Sequence, residues 1–116
     1  MDVIDPYAQV AITVGYLTTG SSITPDGTKQ QYNVTALASA ATINAPSGTP
    51  VDGQQLIIRF KDNGMAQTLT WTTSSGAYRA VGCSLPGTTV ISSVLYVGCI
   101  YNSQDTFWDV VAVAEQ

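Results

Sequence analysis

Two stretches near the C-terminus are apolar on both sides of an extended strand, which restricts the possible folds more than any other feature. Successive side chains of a β-strand point to opposite faces. In VLYVGCIYN, residues 94–102, the two sets are Leu95, Val97, Cys99 and Tyr101 against Tyr96 and Ile100. In FWDVVAVA, residues 107–114, they are Phe107, Val111 and Val113 against Trp108, Val110 and Ala112. Such strands need cover on both faces, from loops or from another subunit, and the pattern favours an oligomer.

Alternating hydrophobicity marks much of the remaining chain as β-structure. In QVAITVGY, residues 9–16, a buried face is expected to carry Val10, Ile12, Val14 and Tyr16. The alanines of ALASAA, residues 36–41, could form one helical turn, but no capping residue supports a longer helix. Short strands separated by Gly and Pro predict an all-β fold, an antiparallel β-sandwich or a jelly-roll-like barrel. We expect one domain over residues 9–116, preceded by an arm over residues 1–8.

The segment LIIRFKDNGMAQTLTW, residues 56–71, predicts a β-hairpin. Leu56, Ile58 and Phe60 would face one way, with Ile57, Arg59 and Lys61 opposite. Asp62-Asn63-Gly64 tolerates the positive φ of a tight return. Leu69 and Trp71 would share a face on the returning strand. Across all the strands, the predicted core and interface residues are Ile58, Phe60, Trp71, Leu95, Val97, Tyr101, Trp108 and Val110.

The low charge of the chain excludes several classes of partner. Charged residues make up 10% of its 116 residues, and the net charge is −4. The four basic residues, Lys29, Arg59, Lys61 and Arg79, are too few for the basic stripe that binds nucleic acid. No apolar run approaches the roughly 18 residues that span a bilayer. We therefore expect neither a nucleic-acid nor a membrane partner.

The N-terminus predicts the compartment of synthesis. MDVIDPYAQV lacks the basic and apolar regions of a signal peptide, so we expect synthesis in a reducing cytoplasm. In that setting Cys83 and Cys99 are predicted to be buried free thiols rather than a disulfide.

The residues do not assemble into a recognisable catalytic or metal-binding motif. Histidine is absent, which removes the usual base of a nucleophile and the commonest zinc ligand. Two carboxylate pairs could in principle serve glycoside hydrolysis, Asp105 with Asp109 or Asp52 with Asp62. Aspartates in turns ordinarily accept backbone hydrogen bonds, and calcium spacing is absent around Asp62 and Asp105. The sequence predicts a protein that is not an enzyme and holds neither cofactor nor metal.

Aromatic and basic side chains leave two interpretations open. Trp71, Tyr78, Tyr101 and Trp108 could stack on a sugar, although such residues in alternating strands are more often core or interface. Arg59 and Lys61 could be solvated, or could pair with a carboxylate of a neighbouring subunit such as Asp109.

The order of several short motifs resembles a module of tailed bacteriophages. The motifs are NVTALASAATINAPSGTPVDGQQLIIRFKDNG, LTW, YRAVG, LPGTTV, LYVGCIYN and FWDVVAVAEQ, which run from about Asn33 to Glu115, about 70% of the chain. They are similar to the C-terminal portion of phage head-fibre, decoration and tail-fibre proteins. The match is specific in order and spacing, and it contains no catalytic signature.

The resemblance implies a β-rich, usually homotrimeric building block of the virion. Long fibres carry the module behind a shaft, whereas about 32 residues precede it here. This favours a capsid decoration or cement protein, or a short head fibre, that binds the major capsid protein at the capsid surface. Cys83 and Cys99 stand where the module is expected to have aliphatic or aromatic residues, which fits buried packing.

The N-terminal arm is the expected attachment segment, and it comprises Asp2, Val3, Ile4, Asp5, Pro6 and Tyr7. An arm of this kind can add to the edge of a neighbouring sheet. The alternative function is a tail-fibre module that recognises a bacterial surface glycan, which requires clustered, exposed aromatic rings.

Overall fold

Residues 12–115 are the part of the chain that the computed structural model describes, and within that range the fold contains no helix. The strands are β1 (Val14–Leu17), β2 (Ser22–Ile23), β3 (Gln31–Leu37), β4 (Ala41–Ile43), β5 (Gln55–Asp62), β6 (Leu69–Trp71), β7 (Tyr78–Ala80), β8 (Val94–Asn102) and β9 (Phe107–Glu115). A six-stranded sheet has the order β1-β3-β5-β8-β9-β7, and a three-stranded sheet has the order β2-β4-β6. The all-β prediction is confirmed, and residues 38–40 join β3 to β4 without a helical turn.

The first six strands wind through both sheets as three successive coils. β1, β3 and β5 are parallel neighbours in the larger sheet, and β2, β4 and β6 are parallel neighbours in the smaller one. The turns also stack, because Ser47 N donates to Pro25 O at 2.9 Å and Asn44 Nδ2 donates to Ser22 Oγ at 2.8 Å. The prediction of antiparallel sheets is therefore wrong for β1 to β6. Segments 24–30 and 44–54 return the chain to the larger sheet, where the next strand runs parallel to the one before it.

Antiparallel pairing joins β5 to β8 and β8 to β9. The predicted hairpin over residues 56–71 is wrong, since β5 and β6 lie in different sheets. The turn after Asp62, with Gly64 at a φ of 105°, leads the chain across to the smaller sheet. The apolar faces of β5 and β6 then meet across the core, where Phe60 and Trp71 make an edge-to-face contact at 5.9 Å between ring centroids. A hairpin would have left these two faces side by side.

The core lies between the two sheets. Along β5 the buried residues alternate with more exposed ones, and Leu56, Ile58 and Phe60 are fully buried. Trp71 and Tyr78 pack edge to face at 4.8 Å, and both direct a polar atom at a backbone carbonyl. The structure buries seven of the residues predicted as core and interface: Ile58, Phe60, Trp71, Leu95, Val97, Trp108 and Val110. Tyr101 is half-buried and packs on Trp108.

The first strand presents the opposite face from the one predicted. Ile12 and Tyr16 are 70% and 68% exposed. Gly15 lies beside Tyr32 and Leu17 beside Val34 on the inner side, and the Tyr32 ring fills the space that a larger residue at Gly15 would need. Val10, the start of the predicted domain at residue 9 and the predicted arm over residues 1–8 lie outside the described residues.

A β-bulge in β9 changes which residues face the core. Cys99 pairs with Val110, whereas Gly98 pairs with Ala112, so Val111 is the extra residue. Val111 is exposed, and Val113 returns to the core side opposite Val97. The prediction that Val111 and Val113 share one face, opposite Trp108, Val110 and Ala112, is therefore wrong beyond the bulge.

Candidate functional site

The side of the six-stranded sheet that faces away from the three-stranded sheet is the strongest candidate for a functional surface, and we call it the outer face. It carries five of the large hydrophobic residues that are exposed in the described chain: Ile12, Tyr16, Ile57, Tyr96 and Val111. The three that lie on the central strands β5, β8 and β9 are each about 40% exposed: Ile57 at 41%, Tyr96 at 40% and Val111 at 43%. Clustered exposed apolar groups of this kind mark interaction surfaces rather than a solvated sheet.

The strand register orders this surface into rows. One row places Ile57, Gly98 and Ala112 on β5, β8 and β9 side by side. The next row places Arg59, Tyr96 and Ala114 in the same order. Since Gly98, Ala112 and Ala114 are small, the surface dips beside the larger Ile57 and Tyr96.

Shallow depressions follow from that alternation of large and small residues. One is lined by Gln55, Ile57, Gly98, Cys99, Ile100 and Val111. A second, at the other end of β8, is lined by Val94, Tyr96, Ala114 and Glu115. Their linings are mostly apolar, and neither brings together a nucleophile and a base. The arrangement suits contact with another surface better than chemistry on a bound molecule.

Charged side chains lie at both ends of the outer face, with Arg79 and Asp109 in the row of Ile100 and with Arg59 and Lys61 at the other end. Arg59 and Lys61 lie on β5 and line a depression with Val94. Within residues 12–115 neither of them forms a salt bridge. Glu115 pairs with the buried Leu95, so the register places it on the inner side of the sheet rather than on the outer face.

The aspartate predicted as a partner for these cations is engaged elsewhere. Asp109 accepts two hydrogen bonds from Arg79, at 2.8 Å from Nε and 3.1 Å from Nη2. Asp105 accepts a third from Arg79 Nη2 at 3.0 Å, and the Arg79 guanidinium lies 5.0 Å from the Phe107 ring centroid. Hydrogen bonds to Asp109 and Asp105 raise the pKa of Arg79. The first predicted carboxylate pair, Asp105 and Asp109, therefore shares one cation, Arg79.

The second predicted carboxylate pair is separated by the length of β5. Asp52 accepts a hydrogen bond from Ser103 N at 2.9 Å in the turn before that strand. Asp62, at the other end, is buried. Desolvation raises the pKa of Asp62, but hydrogen bonds from Ser92 N, Gly64 N and the Thr89 hydroxyl outweigh it, and the net shift is downward. Both aspartates therefore act as acceptors of structural hydrogen bonds.

The aromatic rings considered for a sugar site belong to the core. Trp71, Tyr78 and Trp108 are buried, and Tyr101 is half-buried against Trp108. Trp71 Nε1 donates to Pro86 O at 2.7 Å, and the Tyr78 hydroxyl donates to Asn44 O at 2.9 Å. Burial raises the pKa of Tyr78 above its ordinary range. These rings cannot offer a face to a glycan in this arrangement.

The two cysteines are free thiols, as predicted, but the prediction that both are buried holds for Cys99 and not for Cys83. Cys99 is buried, and desolvation raises the pKa of its thiol to about 12. Cys83 is half-buried, and its Sγ donates to Val110 O at 3.2 Å.

The sequence identified several residues of the outer face but not the strand register that brings them together. The pattern of β8, apolar on both sides, placed Tyr96 and Ile100 on its second face. The alternation of β5 placed Ile57, Arg59 and Lys61 on the side opposite its apolar residues. Tyr16 was missed because its strand was predicted with the wrong face inward. The only signal against that orientation was Gly15, which packs beneath the Tyr32 ring.

Within residues 12–115 no helix is long and apolar enough to cross a membrane, and no group of His, Cys, Asp and Glu is arranged to hold a metal ion. No protein-family model, no curated protein and no solved structure matches the chain.

Proposed function

We propose that this chain is a structural protein of a bacteriophage particle, a capsid decoration or cement protein or a short head fibre that works by contact between subunits. The observation that carries the proposal is the outer face, where Ile57, Tyr96 and Val111 are exposed together on β5, β8 and β9. Exposed apolar groups have a free-energy cost in water that burial against another protein removes.

The motifs that resemble the phage module supply most of the strands around this surface. LIIRFKDNG forms most of β5, LYVGCIYN forms most of β8, and FWDVVAVAEQ contains β9. These three strands carry the centre of the outer face. The resemblance and the exposed surface thus point to the same elements, which supports a subunit contact as the role of the module.

The physical task of such a protein is to add buried area across joints between capsid subunits. Internal pressure must then break more contacts before the shell opens. The affinity of a single site can be modest, because an oligomer engages several sites at once and gains avidity. The partners under this proposal are other copies of the chain, as the homotrimer that the resemblance implies, and the major capsid protein.

The test compares phage particles before and after mild removal of this protein. We expect it to leave with DNA-filled heads, and the stripped heads to rupture at a lower temperature. Adding the purified protein back should restore the original rupture temperature, which controls for damage during stripping. Recovery with tails, together with loss of adsorption by particles whose heads stay intact, would refute the proposal and favour the glycan-binding alternative.

A further inference from the structure

Two cations on the outer face lack an anionic partner among residues 12–115. Arg59 and Lys61 lie two positions apart on β5, on one side of the sheet, and line the same depression. Glu115 lies on the inner side of the sheet. The other described acidic residues accept hydrogen bonds from different groups: Asp26, Asp52, Asp62, Asp105 and Asp109. The pair of cations is therefore complementary to an acidic occupant from outside the described residues.

The remaining acidic residues of the chain lie in the segment MDVIDPYAQVA, which precedes the described residues. Asp2 and Asp5 are its only charged side chains, and Val3, Ile4 and Tyr7 are close to them in sequence. The segment thus combines negative charge with apolar groups. These are the two properties that would complement the outer face.

A depression on the outer face begins where the described chain begins. It is lined by the first described residue, Ile12, by four glutamines on and just before β3 and β5, and by Ile57. The depression beside Arg59 and Lys61 comes next along the same side of β5. The two depressions lead from the start of the described chain, across β3, to the two cations.

The segment is long enough to follow that path. β5 lies two strand spacings from β1, about 10 Å, and Arg59 lies in the row of Tyr16, about 13 Å along the sheet from residue 12. Arg59 is therefore about 16 Å from residue 12, and Lys61 about 22 Å. An extended chain spans about 3.3 Å per residue, so Asp5 can reach about 23 Å from residue 12 and Asp2 about 33 Å.

The spacing of the two aspartates also suits the two cations. Pro6 restricts the backbone of Asp5 to extended or polyproline II conformations. In polyproline II, with three residues per turn, positions 2 and 5 point to the same side and lie about 9 Å apart. Arg59 and Lys61 are about 7 Å apart along β5, a difference that their long side chains can bridge.

We propose that residues 2–7 lie across the outer face of their own copy, with Asp5 beside Arg59 and Asp2 beside Lys61. Each exposed ion pair is weak by itself, but the tether holds the segment at a high local concentration. The apolar side chains of the segment then lie over Ile57.

This inference goes beyond the proposed function and does not depend on it. One extended segment is about as wide as one strand, so it covers β5 and leaves Val111 on β9 free for a partner. The surface offered to another protein would then consist of the segment together with the β8 and β9 side of the sheet.

The test is zero-length cross-linking of the full chain with a carbodiimide. The reagent activates a carboxylate, and a lysine amine displaces it as a urea, so that an amide bond forms with net loss of one water. We expect peptide mass spectrometry to find Lys61 linked to Asp2 or Asp5. A mixture of isotope-labelled and unlabelled protein distinguishes links within one copy from links between copies.

Acetylation of Lys61 provides a second measurement. The chain has one other lysine, Lys29, whose rate serves as the internal reference. Replacing both aspartates, Asp2→Asn with Asp5→Asn, should raise the relative rate at Lys61 about two- to fivefold, because the ion pairs no longer hold its amine. Asp52→Asn, at the other end of β5, is the matched control and should leave that rate unchanged. Circular dichroism melts verify that each variant folds.

Three results would overturn the inference. The first is the absence of any link from Lys61 to Asp2 or Asp5. The second is links that occur only between differently labelled copies, which would mean that the segment is exchanged. The third is an acetylation rate at Lys61 that the two Asn substitutions do not alter. None of these results bears on binding to phage heads, and failure to bind heads would refute the proposed function while leaving the links in place.

Discussion

The buried carboxylate of Asp62 fixes the backbone of Ser92 in a left-handed conformation. Ser92 N donates to Asp62 Oδ1 at 3.0 Å, and Ser92 has a φ of 55°, which a residue with a side chain adopts infrequently. The same carboxylate accepts hydrogen bonds from Gly64 N and from Thr89 Oγ1, both at 3.0 Å. One side chain at the end of β5 therefore holds the loop that leads into β8, the central strand of the outer face.

Removal of this carboxylate should destabilise the fold more than removal of any exposed aspartate. Asp62→Ala leaves the donors of Ser92, Thr89 and Gly64 without their partner, and we expect a loss of about 2 to 4 kcal/mol in the free energy of unfolding. Urea denaturation followed by circular dichroism measures it. Asp52→Ala is the control, since it removes one exposed hydrogen bond, from Ser103 N. Equal losses for the two variants would contradict the role given to Asp62.

The same carboxylate should make stability depend on acid pH. The pKa of Asp62 is lowered in the folded protein, so the folded state binds its proton less readily than the unfolded chain does. Its contribution is fully present above the unfolded value of about 3.9 and is lost as the pH falls through the lower folded value. The pKa of Asp26 is also lowered, by hydrogen bonds from the Thr28 side chain and backbone, and adds in the same direction.

We therefore expect the urea midpoint to fall on acidification below about pH 4, and to fall less steeply in Asp62→Asn. Asn keeps the shape of the side chain but cannot titrate. Identical pH profiles for the two proteins would assign the acid sensitivity to other carboxylates.

Arg79 should be replaceable only by a side chain that can bind two carboxylates at once. Arg79→Lys loses the paired hydrogen bonds to Asp109 and the stacking on Phe107, because an ammonium is a point charge. We expect a lower urea midpoint, with a smaller change than for Asp62→Ala because the pair is partly solvated. Arg79→Ala with Asp109→Asn should be more stable than Arg79→Ala alone, since the double variant removes an unpaired charge. If the two variants are equally stable, the pair contributes nothing.

Local patterns predicted the strands well but not their partners. The alternation of β5 correctly identified the buried residues Leu56, Ile58 and Phe60. It could not show that Trp71 faces them from another sheet, because a turn at Asp62-Asn63-Gly64 has the same residue preferences whether the chain reverses or crosses over. Pairing between parallel coils depends on contacts distant in sequence, for which period-2 alternation carries no signal.

Two local details also escaped the pattern. The bulge at Val111 adds one residue to β9 and exchanges the two faces beyond it, although the residues on either side are equally apolar. At the start of the chain the alternation of β1 is genuine, but its apolar side faces outward because Gly15 must lie beneath Tyr32. Candidate surface residues could be named individually, whereas their grouping into one face required the register.

The two cysteines should differ sharply in reactivity while the protein is folded. Burial raises the pKa of Cys99 to about 12, so at about pH 8 only about one thiol in ten thousand is ionised, and the side chain is also shielded. Cys83 is half-buried and within reach of a small reagent. We expect a short pulse of iodoacetamide, followed by peptide mass spectrometry, to modify Cys83 and to leave Cys99 untouched. In denaturant the two should react at similar rates. Equal modification in the native protein would place Cys99 in a solvent-accessible position and contradict the packing of β8 against the core.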